Sequence, residues 1–103
     1  FPDLAAKMIL VVPPGVEYDL VVTVADYSCQ KWNGSIWVSG SCWGSRTGYG
    51  DDEAVEIFKS DNWGSDDSRT VFIEVRYYNG ASCTPWTLSI YSGTSCWSSA
   101  APF

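Results

Sequence analysis

The sequence predicts an all-β chain, a small antiparallel β-sandwich of jelly-roll-like type. Three observations carry that expectation: period-two alternation in segments rich in β-branched and aromatic residues, turn signals between those segments, and no helix-length amphipathic stretch. The alternation is clearest from Arg69 to Gly93. There Val71, Ile73, Val75 and Tyr77 alternate with Thr70, Phe72, Glu74, Arg76 and Tyr78. After Asn79-Gly80, Trp86, Leu88 and Ile90 alternate with Thr87, Ser89 and Tyr91. The connection between these two strands is longer than a tight hairpin, so they are either neighbours or members of facing sheets.

Six strands are expected, near Lys7–Val12, Tyr18–Ala25, Ser35–Ser39, Ala54–Phe58, Thr70–Tyr78 and Trp86–Tyr91. The first contains the longest apolar run, Met8–Val12, far short of the ~18–20 residues that span a membrane as a helix. Pro13-Pro14-Gly15 separates it from the second. Gln30–Gly34 reads as a turn, because Asn-Gly favours positive backbone angles. Asn33-Gly34-Ser35 is also an N-x-S sequon, which makes Asn33 a candidate glycosylation site beside the plain-turn reading. Gly40–Asp52 is a Gly/Ser loop carrying Trp43, Arg46 and Tyr49, and Ser60–Ser68 is an acidic loop around Trp63.

The blocks together resemble a known family. A strand of the form Thr70-Val71-Phe72-Ile73-Glu74-Val75, then Tyr78-Asn79-Gly80, a small-residue loop and Trp86-Thr87-Leu88-Ser89-Ile90 is similar to the end of the bacterial pre-peptidase C-terminal domain. Pro13-Pro14-Gly15 before Tyr18–Val24, and Asp52-Glu53 before Ala54–Phe58, resemble its opening and its middle strand. The similar blocks span residues 7–93. The resemblance implies a β-sandwich and, since relatives serve as targeting modules, binding to an insoluble polymer. The calcium-associated acidic pattern of collagen-binding relatives is not recognisable near the N-terminus.

A chain of 103 residues supports one core, so a single domain over 1–103 is expected, with 1–6 and 98–103 as terminal arms. It begins at Phe1 rather than Met, the expectation being a mature or excised form. Six basic and twelve acidic residues give a net charge of −6, which disfavours nucleic acid and anionic membranes as partners. Four cysteines with no histidine and no C-x-x-C point to disulfides and an extracellular or cell-surface setting rather than zinc. Alternating strand directions put Cys29 and Cys96 at one end of the sandwich and Cys42 and Cys83 at the other. A six-residue strand is ~20 Å long, whereas bonded cysteines hold their Cα atoms within about 7 Å. The expected pairs are therefore Cys29–Cys96 and Cys42–Cys83.

Without histidine, serine- and cysteine-triad chemistry is excluded, and no enzyme is expected. Asp51, Asp52, Glu53, Asp61, Asp66 and Asp67 read as solvated loop acids. The other readings of these acids are a carboxylate pair, for which so small a sandwich offers little room, or oxygen ligands for calcium, for which no EF-hand-like spacing is present. No metal or cofactor is expected.

Six Trp and six Tyr exceed what this core requires. Trp37, Phe72, Tyr78 and Tyr91 fall out of phase with their strands' apolar faces, and Trp32, Trp43, Trp63 and Trp97 fall in loops. Exposed aromatics mark contact surfaces, although loop indoles capping the core, or packing of Trp37 and Trp86 within the chain, would also account for them. The apolar ends add Phe1, Leu4 and Phe103. The expected function is an extracellular structural subunit that self-assembles with other copies of the chain through these termini and aromatics. Binding of a polysaccharide or matrix polymer by a module appended to a secreted enzyme is the alternative, and a C-terminal extension of a secreted protease is a third reading.

Overall fold

The computed structural model describes residues 4–24, 28–40, 42–44, 49–59, 70–93 and 102. They form eight strands: β1 (Leu4–Val11), β2 (Val16–Thr23), β3 (Ser28–Trp32), β4 (Trp37–Ser39), β5 (Trp43–Gly44), β6 (Glu53–Lys59), β7 (Phe72–Gly80) and β8 (Thr87–Gly93). One sheet has the order β4-β3-β6-β1-β8 and the other β5-β2-β7, and all pairings are antiparallel. The expected two-sheet, all-β architecture is therefore present.

The core forms where the inward faces meet. Met8, Leu10 and Val12 follow one face of β1, Val55 and Ile57 the matching face of β6, and Val16, Leu20 and Val22 line β2. Burying a side chain of this size contributes about 1.5–3 kcal/mol. Val71, Ile73, Val75 and Leu88 pack against this cluster half-buried, as their alternation predicts. β7 and β8 belong to facing sheets, which decides between the two arrangements the sequence allowed.

Local backbone chemistry sets the corners. Gly80 ends β7 at φ 88°, and a Cβ there would collide with the Gly15 carbonyl oxygen. Only glycine fits that conformation and that approach. The Asn33 side chain accepts hydrogen bonds from the amides of Ser35 and Ile36, both at 2.9 Å, which closes the β3–β4 turn.

Two expectations are corrected here. β1 starts at Leu4, so Leu4–Ala6 are not an arm but strand residues paired with β6 and β8 (Leu4 with β6 alone). Deleting residues 1–6 would therefore remove part of the sheet as well. The disulfide is Cys29–Cys42, with Cα atoms 5.2 Å apart, which overturns both Cys29–Cys96 and Cys42–Cys83. The cause is β3. Gln30, Lys31 and Trp32 are strand residues rather than turn, so the chain runs out along β3 and back along β4 between the two cysteines. That extra strand reverses the parity and returns Cys42 to the end where Cys29 lies. Cys29 is in the five-stranded sheet and the Cys42 carbonyl accepts the Val22 amide, so the bond staples one sheet to the other. Cys83 is an exposed thiol, and Cys96 lies outside the described residues.

Candidate functional site

Three surfaces collect the side chains that packing alone does not explain. The first is the outer face of the three-stranded sheet. Alternation directs Ile73 and Val75 inward, so Phe72, Glu74 and Arg76 project outward along β7, while Tyr78 is the extra residue at the register shift, where that alternation is interrupted. Arg76 donates two hydrogen bonds to Glu74, at 2.8 and 3.2 Å, and its guanidinium lies 5.0 Å from the centre of the Trp43 ring. Asp19, buried, is the cross-strand partner of Arg76. The hydrogen bond from Arg76 holds the Glu74 carboxyl below its ordinary range, and the same bond raises the guanidinium further. Phe72 stands at one end of this row, 67% exposed, and Tyr78, at the register shift, is 68% exposed.

The second surface is the β8 side of the five-stranded sheet. Val55, Met8 and Ile90 are consecutive cross-strand partners on the core face. Val55 and Met8 are fully buried, yet Ile90 is 56% exposed. A three-stranded sheet is too narrow to roof five strands, and the overhang falls on β8. Near the Gly80 corner, Tyr18 makes edge-on ring contacts with Tyr77 at 5.9 Å and with Trp86 at 6.4 Å.

The third is the outer face of the same sheet, where Gln30, Glu56, Lys7 and Tyr91 are consecutive partners across β3, β6, β1 and β8. Glu56 is fully buried, accepts a hydrogen bond from Gln30 at 2.9 Å and pairs with the Lys7 ammonium at 3.4 Å.

The aromatics expected to form one contact surface are therefore divided. Trp43 and Phe72 share the outer face of one sheet, Tyr91 is on the outer face of the other, and Tyr78 is exposed at the register shift of β7. Trp37 packs edge-on against Trp32 at 5.6 Å across the β3–β4 hairpin, so its position is accounted for within the chain. Leu4 pairs with Lys59 at the start of β1. Phe1, Trp63, Trp97 and Phe103 lie outside the described residues.

Sequence reasoning missed the buried acids. Glu53 is fully enclosed and Asp52 half-buried, against the expectation of solvated loop acids, and Glu56, which that expectation did not include, is fully enclosed as well. Asp52 accepts the Val12 amide at 2.8 Å and Glu53 the Leu20 amide at 2.6 Å. Among the described residues no group of three metal-ligating side chains gathers.

No family model matches the chain, and neither the curated proteins nor the solved structures contain a match.

Proposed function

We propose that the chain is an extracellular structural subunit that associates with other copies of itself by pairing at the β8 edge. What carries this reading is the contrast among the four strands at the sheet edges formed by the described residues. A sheet edge presents unpaired backbone groups, and proteins that remain monomeric blunt it with short strands, charges, prolines or bulges. β4 has three residues and β5 has two, while β7 carries Glu74 and Arg76 and lies beside the register shift at Glu17/Tyr18. β8, Thr-Leu-Ser-Ile-Tyr-Ser-Gly, has none of these guards. It is seven residues long, without charge or proline, and the overhanging Ile90 supplies apolar area beside an edge that no other described strand pairs. The net charge of −6 resides elsewhere, so two β8 strands meet without local repulsion. The inter-sheet disulfide favours an oxidising, extracellular setting.

Analytical ultracentrifugation of the wild type and of Ile90→Lys tests this. Concentration-dependent association that the charge abolishes, with an unchanged circular dichroism spectrum, supports the reading. Equal behaviour of the two proteins would sink it.

A second reading has its own observation. The Trp43 ring with the hydrogen-bonded Arg76–Glu74 pair, beside the exposed Phe72, is a surface of aromatic and bidentate polar groups suited to a polysaccharide. The resemblance to the pre-peptidase C-terminal domain points the same way. Pull-down on insoluble polysaccharides, with Trp43→Ala as control, separates the two readings: retention lost in that variant supports the platform, and no retention of the wild type rejects it.

A further inference from the structure

Trp43 and Arg76 meet over the outer face of the three-stranded sheet, and the chain holds them there by different means. Arg76 stands on β7, a nine-residue strand, and its guanidinium is tied to Glu74 of the same strand by two hydrogen bonds. Trp43 stands on β5, which has two residues where strands usually have three or more. β5 lies at a sheet edge, and so short a pairing, Leu20 with Gly44 and Val21 with Trp43, frays readily there. Cys42 immediately precedes it. Its carbonyl accepts the Val22 amide at 3.0 Å, its side chain packs against the core, and its sulfur is bonded to that of Cys29 on β3. Successive residues of a strand face opposite ways. Fixing Cys42 inward, on the buried Cys29, therefore turns Trp43 outward, where its ring centre lies 5.0 Å from the guanidinium.

We propose that the Cys29–Cys42 bond switches this surface on: Trp43 stands beside Arg76 while the bond is closed and leaves it when the bond opens. The inference rests on the reading of that surface as a polysaccharide site and names its regulation. In a reducing compartment both cysteines are thiols, β5 loses its tie to β3, and the surface lacks its indole. Thiol–disulfide exchange with an oxidising disulfide restores it. Two cysteine thiols and one oxidant disulfide give the Cys29–Cys42 bond and two oxidant thiols, with two electrons and two protons passing to the oxidant. Such oxidants belong to the export route and the extracellular space, so the chain acquires the site only after export. The dependence is local. β1 is paired with β6 and β8, and β2 with β7, over most of their lengths, so the core outlasts the bond.

NMR of the full chain, oxidised and after reduction by excess dithiol, tests this without any polysaccharide. The indole shifts the Arg76 side-chain protons upfield while it lies over them, and Trp43→Ala supplies the unshifted reference. Reduction and Cys29→Ala/Cys42→Ala are each expected to bring the Arg76 signals to that reference, while the Leu10 and Val55 methyls keep their native positions. Retention on an insoluble polysaccharide is expected to fall to the Trp43→Ala level in the same samples. An Arg76 shift that survives reduction overturns the proposal. Loss of the Leu10 and Val55 methyl positions along with it also overturns it, because the bond then holds the whole fold rather than β5. A shift that responds to reduction in a protein that no polysaccharide retains rejects the polysaccharide site and supports the switch at β5.

Discussion

The Glu53 carboxylate accepts the Leu20 amide proton at 2.6 Å, reaching from β6 across the sandwich interior to β2. Glu53 is cross-strand partner to Leu10 on the core face, so this bond lies inside the hydrophobic cluster and joins the two sheets. Asp52, one residue earlier, accepts the Val12 amide where β1 has ended, a bond between neighbours of the five-stranded sheet. Buried backbone donors require acceptors, and here side chains at the start of β6 supply them.

Glu53→Ala strands the Leu20 donor. The orphaned group alone costs about 1–3 kcal/mol, and the space left behind adds to it. Glu53→Gln retains an acceptor oxygen and is expected to cost less. Urea unfolding of both variants checks the order, and equal destabilisation would argue against the inter-sheet bond.

The Cys29–Cys42 bond closes a loop with a sequence separation of 13. Constraining a loop near this size stabilises a fold by about 3 kcal/mol. Cys29→Ala/Cys42→Ala should lose stability on that order. Peptide mapping without reduction should recover the two cysteines in one linked pair, and a Cys29 peptide bonded to Cys83 or Cys96 would contradict the strand parity described above.

Gly80→Ala meets two obstacles together, the positive φ and the Gly15 carbonyl. The backbone conformation alone costs roughly 1–2 kcal/mol for a residue with a Cβ. A fall in thermal midpoint is expected. An unchanged midpoint would mean that β7 ends differently.

Glu74 is held below its ordinary pKa by its hydrogen bond from Arg76. A depressed folded-state pKa contributes stability that is present above the unfolded value and lost as pH falls through the folded one. The pair is solvent-exposed, so the effect on stability is small. The direct readout is the Glu74 carboxyl titration by NMR. Its midpoint should rise in Arg76→Met, and no movement would argue that the pair does not persist in solution.

How far the sequence carries the fold depends on what each strand displays. β7 and β8 were legible because Val71, Ile73, Val75 and Leu88 meet the core at strict period two. β3 was not, because Gln30, Lys31 and Trp32 lack an apolar alternation and adjoin Asn33-Gly34. That one missed strand was enough to invert the disulfide pairing. The outward aromatics were identified singly, but their grouping depended on whether β7 and β8 share a sheet, which local pattern does not encode. The buried acids had a faint signature. Glu56 interrupts the apolar run Ala54–Phe58 as Lys7 interrupts that of β1, and only the register between those strands makes the two interruptions partners.

Amide hydrogen exchange of Thr87–Gly93, followed in dilute and concentrated protein, tests the proposed role of β8 most directly. Association through this edge predicts that β8 amides gain protection as concentration rises, while those of β2 and β6, already paired on both sides, stay constant. Exchange in β8 that is identical at every concentration would contradict it.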